Sequence, residues 1–226
     1  YKLHGATSSH PVNKSKEKMI YYQNGSATHN MSHKDLESGL REAFEKLGEK
    51  RKVLAIPPDY TRFPSRAGEL TEITWEYYGD KLTGILPALG THTPMTEEQI
   101  AHMFGKTPRN LIRVHDWRND VVTLGRVSAE IVEEVSEYKV HFDWPVQVNR
   151  LLVEGNFDLI LSIGQVVPHE VVGMANYNKN VLVGTGGFEA INKSHYIGAV
   201  YGMERMMGRA DTPVRKLFNY ASKQFA

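Results

Sequence analysis

Residues 53–62 read Val-Leu-Ala-Ile-Pro-Pro-Asp-Tyr-Thr-Arg. Four apolar residues in a row, Val53–Ile56, are too few for a stable helix and read as a compact strand. Pro57 and Pro58 lack an N–H and cannot continue a ladder, so the chain must leave the sheet there. Asp59 and Arg62 are thereby set just beyond the carboxyl end of a strand.

The same order of strand, polar loop and helix recurs along the chain. Gly84–Leu89 reads as a strand that ends in Gly90-Thr91-His92-Thr93. Leu111–Val114 reads as a strand ending in His115-Asp116-Trp117. Phe157–Ile163, continuously apolar, reads as a buried strand that leads through Gly164-Gln165 to Pro168-His169. Helical spacing marks His33–Leu47, with Ser32 as N-cap and Gly48 as stop. Helices are also expected over Gly68–Tyr78, from Thr96-Glu97-Glu98-Gln99 to about Phe104, and over Ser128–Ser136, Ile191–Met206 and Pro213–Tyr220. Met19–Tyr22 reads as a short edge strand, Val146–Val153 as an alternating one, and Val181–Val183 as a short apolar piece. The alternation predicts an α/β fold, Rossmann-like, with a largely parallel sheet and flanking helices. Residues 1–18 are polar and read as an extended arm; 19–226 then form one α/β domain. In such sheets ligands bind beyond the carboxyl ends of the strands, which directs attention to the loops DYTR, GTHT, HDW and GQVVPH.

Composition narrows the function. The 226 residues are 41% hydrophobic and 23% charged, as in globular proteins. With 27 basic and 26 acidic side chains and no basic stripe, nucleic acid is not an expected partner. No apolar run approaches a membrane span. The chain has no cysteine, which excludes a thiol nucleophile, thiolate metal sites and disulfides and fits a reducing, cytoplasmic setting.

Each polar candidate has an ordinary reading and a chemical one. His92 and His169 are loop histidines, by default surface or packing residues, yet imidazole suits proton transfer near neutral pH. Lys179 is by default solvated; held in a cleft, it can lose its proton and act as a nucleophile. Gly186 and Gly187, in Gly184-Thr185-Gly186-Gly187, either build a turn or let backbone N–H groups approach a phosphate, though they match neither phosphate-loop fingerprint. His195 caps or packs a helix, or ligates a metal. Asp59 and Arg62 form a local pair, or Arg62 offers its planar fork to a carboxylate.

Taken together, the ordered series DYTR, GTHTPMTEE, VHDW, QVVPHE, a lysine ten residues after His169 and NKSH resembles the nickel-dependent lactate racemase family, over about residues 50–200. His195 follows Lys179 by sixteen residues. The resemblance implies a racemase or epimerase of a small-molecule 2-hydroxy acid that uses a nickel pincer nucleotide, with cofactor-biosynthesis proteins as possible partners. It implies that Lys179 links the cofactor and His195 ligates nickel. It implies that His92 and His169 flank the substrate carbon as paired acid/base groups, that Arg62 holds the carboxylate, and that Asp59 orients neighbours or the cofactor. Its chemistry is hydride transfer: the α-hydrogen of a hydroxy acid is barely acidic, and leaving as hydride gives a planar keto acid that either face can recapture. The family has arginine after Gly-Thr-His, where this chain has Thr93, and Ser-Gly-Gly before the lysine, where this chain has Asn176-Tyr177-Asn178. Both departures imply a different pocket or acid. The family's second, C-terminal domain is expected to be absent from this chain. Two other readings stand beside this one: a metal-assisted hydrolase or lyase with His92, His169 and His195 on one ion, and a non-catalytic small-molecule binding domain.

Overall fold

A computed structural model describes residues 19–225; the expected arm at 1–18 lies outside the described residues. In chain order the elements are α1 (His33–Leu47), β1 (Val53–Ile56), α2 (Ala67–Tyr78), β2 (Leu82–Ile85), α3 (Glu97–Phe104), β3 (Val121–Val127), α4 (Ala129–Val135), β4 (Trp144–Asn149), α5 (Arg150–Glu154), β5 (Leu159–Ser162), β6 (Pro168–His169), β7 (Gly173–Met174), α6 (Phe188–Tyr201), α7 (Met203–Met206) and α8 (Pro213–Phe225).

Local chemistry sets several boundaries. Ser32 Oγ accepts the Asp35 N–H while the Asp35 carboxylate accepts the Ser32 N–H at 2.8 Å, closing a reciprocal box at the start of α1. Thr96 and Gln99 do the same for α3. Asn149 Oδ1 accepts the Leu151 N–H at 2.9 Å and turns β4 into α5.

β1 is the middle strand of a parallel sheet of order β2-β1-β5. All four of its residues are buried, because both faces are covered. Val53 and Ala55 face a cluster that includes Phe44, Ile100 and Phe104 from α1 and α3. Leu54 and Ile56 alternate to the other side, against Leu86 with Leu151 and Phe157 packed alongside. The expected α/β architecture, a parallel sheet flanked by helices, is the one observed. A second core gathers Trp144, Val146, Ala190, Ile197, Leu217 and Phe218 around the antiparallel pair β3–β4, α6 and α8. Trp144 Nε1 donates to the Ala190 carbonyl at 2.9 Å, which satisfies the one polar atom of that buried ring.

Several elements differ from expectation. Met19–Tyr22 forms no strand: Met19 and Ile20 are exposed, and Tyr22 lies across α1 at Gly39, where a Cβ would come within 2.5 Å of its ring. Regular pairing of β2 begins at Leu82, two residues before the expected Gly84, and single bonds prolong it past Pro87, with Ala88 N–H on the Pro57 carbonyl at 2.7 Å. Leu111–Val114 is reduced to one bridge, Ile112 beside Ile85, after a tight turn. Val121–Val127, to which the sequence reading assigned no strand, pairs with β4. The strand expected to run to Val153 stops at Asn149, because that side chain caps a helix. β5 is an edge strand with alternating burial, not a buried one, since nothing pairs with its outer side among the described residues. The helix expected at Ile191–Met206 starts earlier, at Phe188, and breaks at Gly202, whose φ is +103°.

Candidate functional site

Beyond the carboxyl ends of β1, β2 and β5 lies a cleft of about 160 Å³. Asp59, Arg62, His92, His169, Lys179 and His195 all line it. These six span 137 positions of chain and are joined only by the fold. Asp59 and Arg62 come from the turn after β1, His92 from the loop after β2, and His169 from β6. Lys179 precedes a wide helical turn, Asn180–Gly184, and His195 is on α6. In that turn Thr185 N–H bonds the Asn180 carbonyl at 2.9 Å, a five-residue reach of the kind that recurs at functional sites. The turn and the His92 loop are clamped together: Gly90, at φ +56°, donates to the Gly184 carbonyl at 2.8 Å. A Cβ at Gly184 would lie 2.4 Å from that of Ala88, so only glycine permits this approach.

Two expected residues are not in the cleft. Gly186 and Gly187 do not line it. The Gly186 carbonyl accepts from His115 Nε2 at 2.9 Å, and Gly187 opens α6 against Gln147. They therefore serve packing, and Gly184 is the glycine of that run that borders the cleft. The His115-Asp116-Trp117 loop is also outside it. His115 is buried on Asn149 and Gly186, Asp116 caps its own turn at Arg118 and Asn119, and Trp117 stacks on Phe188.

The hydrogen bonds assign the protons of three imidazoles. Asp59, 4% exposed, accepts His92 Nδ1–H through Oδ2 at 2.6 Å and Thr61 Oγ–H through Oδ1. In the neutral ring His92 Nε2 is thereby left with a lone pair. His169 is the reverse. Its Nδ1 accepts the Val171 and Val172 N–H groups at 3.1 and 3.4 Å, so Nε2 carries the proton. Burial, reinforced by the Lys179 charge, lowers the His169 pKa to about 4, and the ring is neutral at pH 7. The two histidines expected as a matched pair are therefore inequivalent. His195 Nδ1–H donates to the Ile191 carbonyl at 2.7 Å, which directs a bare Nε2 away from the helix. Burial pushes its pKa down as well.

Lys179 is brought to about 8, first by burial and then by the Arg62 cation. About a tenth of the amine is then neutral at pH 7, against well under a thousandth for an ordinary lysine. Glu170, which the sequence reading did not select, also borders the cleft and faces His169 and Lys179.

Three asparagines surround Lys179, of which Asn176 and Asn178 belong to the stretch that departs from the racemase pattern. Asn176 Nδ2 donates to the Gly164 carbonyl at 2.7 Å, and Asn180 Nδ2 to Asn176 Oδ1 at 2.7 Å and to Ser162 Oγ at 3.2 Å. Asn178 turns the other way, to α8. Asn176 and Tyr177 hold left-handed φ of +65° and +55°. Asparagine tolerates that region; an exposed tyrosine does not, so Tyr177→Gly is expected to stabilise the fold by about 0.5–1 kcal/mol, read as a raised thermal midpoint.

An ion shared by His92, His169 and His195 would need a cage of such side chains. Among the described residues no group of three His, Cys, Asp or Glu side chains is placed to hold a metal. Nor is any described helix long and apolar enough to cross a membrane.

A family model described as the lactate racemase N-terminal domain matches residues 12–207. Among solved structures, a Thermotoga maritima protein is 28% identical, with TM-score 0.75, over 85% of this chain and 47% of its own. The lactate racemase apoprotein of Thermoanaerobacterium thermosaccharolyticum is 21% identical, with TM-score 0.57, over 86% of this chain and 42% of its own. That second likeness is one of fold. The chain spans less than half the length of either. No curated protein sequence matches.

Proposed function

Because the chain belongs to the family of lactate racemase N-terminal domains, we propose that it forms the cofactor- and substrate-binding part of a cytoplasmic 2-hydroxy-acid racemase or epimerase. The observation that carries this reading is the cleft itself, where a half-buried lysine of lowered pKa, a histidine with a bare Nε2 and an aspartate-bound histidine converge.

The residues fit a nickel pincer nucleotide. Lys179 offers an amine able to form a covalent link at neutral pH. His195 offers Nε2 as a ligand, oriented by the Nδ1–H bond to Ile191, the usual arrangement for metal-binding imidazole. When bound, that group would supply an acceptor for the hydrogen and electron pair that leave the substrate's C2.

The chain's own side chains do the rest. Arg62 pairs with the substrate carboxylate and fixes the molecule in the cleft. His92 Nε2 removes the hydroxyl proton, and Asp59 holds the ring in the tautomer that can do so and stabilises the imidazolium formed. His169 donates its Nε2–H to the same oxygen. The resulting keto acid is planar, and His92 returns the proton when hydrogen is delivered to either face. Thr93 and the asparagine loop replace family residues and reshape the pocket for a 2-hydroxy acid other than lactate.

The test is polarimetry or chiral chromatography of enantiopure 2-hydroxy acids with full-length protein matured in cells that make the cofactor. Interconversion of at least one pair is expected, with none from protein made without nickel. Stoichiometric zinc with hydrolytic turnover and no interconversion would instead establish the hydrolase reading.

A further inference from the structure

Arg215 is buried at 6% exposure, and no carboxylate compensates it among the described residues. Desolvation of that cation carries a cost, which its hydrogen bonds must offset. It donates through one terminal nitrogen to Asn178 Oδ1 and through the other to the Met174 carbonyl. Asn219 Oδ1 and Ser222 Oγ accept from Asn178 Nδ2 at 3.0 and 3.2 Å. Residues 215, 219 and 222 form one stripe of α8, and all three grip a single side chain. That side chain immediately precedes Lys179. On the other side Asn176 and Asn180 tie the same loop to the end of β5. Lys179 thus sits between two anchored neighbours, one held by the sheet and one by α8.

We propose that Arg215 is a positioning residue for Lys179: by clasping Asn178 to α8 it keeps the loop closed and the amine inside the cleft. The inference deepens the reading of Lys179 as the point of cofactor attachment and assigns part of its reactivity to a helix outside the cleft. An arginine suits the task because its fork reaches two acceptors at once. The groups facing Lys179 are Asp59 and Arg62 from the turn after β1, His169 and Glu170 at β6, His195 on α6, and Arg215 on α8. Arg62 and Arg215 disfavour the ammonium form, and Glu170 and Asp59 favour it. Release of the clasp would both hydrate the amine and move one cation away.

The test uses full-length protein made without nickel or cofactor-making enzymes, so that the amine is free. N-hydroxysuccinimidyl acetate is the probe, and acetylation of Lys179 is quantified by peptide mass spectrometry across pH, with Lys34 as an exposed internal reference. Asn178→Ala and Arg215→Met are expected to move the midpoint of the Lys179 profile upward by about one unit, and so to slow labelling at pH 7 about tenfold relative to Lys34. Arg215→Lys, which keeps the charge but only one of the two bonds, is expected to lie between. Circular dichroism checks each fold; if Arg215→Met does not fold, Asn178→Ala decides. A wild-type midpoint in a folded Asn178→Ala protein would overturn the proposal. Because no cofactor is involved, that failure is separable from a failure to find racemase activity.

Discussion

Lys179→Met is expected to abolish the proposed racemase activity and the proposed cofactor-derived mass of the matured protein while making the chain more stable at neutral pH. The opposite signs follow from the same geometry. Lys179 lines the cleft, pairs with no carboxylate among the described residues, and titrates at about 8 instead of 10.5. The unfolded chain therefore binds a proton more readily than the folded one between those values. Where the unfolded state holds more protons, stability rises with pH. Wild-type protein should gain stability as pH climbs from about 8 to about 10.5 and carry the full penalty below 8, on the order of 3 kcal/mol. Methionine has nearly the same length and no charge to desolvate. Lys179→Met should show no such rise, and its advantage over wild type should be greatest below pH 8 and vanish above 10.5. Activity should fall by more than about a thousandfold, since the proposed covalent link is lost. Denaturant melts at pH 7 and 10.5, with intact mass and turnover on the same samples, measure both halves. A less stable variant that still carried the added mass would remove Lys179 from the site.

Asp59→Asn should be the most informative change to the proposed proton-transfer apparatus. Asp59 has two duties. Oδ1 accepts from Thr61 Oγ and N–H and caps the turn Tyr60–Ser65, while Oδ2 accepts from His92 Nδ1. Thr61 presents donors, so an asparagine oxygen must stay on that side and keep the cap. Its NH₂ then faces His92 and can only donate. That reverses the bond, puts a lone pair on Nδ1 and moves the His92 proton to Nε2, where the base is needed. Turnover should fall by about 10²–10⁴, the range for loss of an oriented general base, with little change in KM because Arg62 is untouched. The thermal midpoint should stay near wild type. Asp59→Ala would lose the cap as well, about 1 kcal/mol, and confound the two effects. Initial rates from each enantiomer, with melting curves, decide the matter; a rate within about threefold of wild type would mean that Asp59 does not set the His92 tautomer.

Much of the scaffold was legible from local rules. The four apolar residues before Pro57, the reciprocal caps at Ser32 and Thr96 and the glycine after Leu47 act over a few residues, and each appears where expected. The errors fell where partners are distant. Val121–Val127 is a strand because β4 lies beside it, and Asn149 ends β4 because its side chain finds the Leu151 N–H. Phe157–Ile163 looked buried from its composition, but exposure of an edge strand depends on what pairs beside it. In the site, residue types and their order singled out six of the polar side chains that share the cleft. Gly186 and Gly187 were grouped with them by nearness along the chain, a poor guide once α6 turns them toward His115 and Gln147.

The amino-acid order by itself determined β1, the capped helices α1 and α3, the turns after β1 and β2 that carry Asp59 and His92, and the family to which the chain belongs, because these depend on short-range pattern. Only the tertiary structure decided which nitrogen of each imidazole holds the proton, that Lys179 is shielded enough to lose its own, and that Arg215 on the last helix reaches the neighbouring asparagine. Protonation and orientation are set by groups tens of residues away, through desolvation and hydrogen bonds that exist only after the chain has closed on itself.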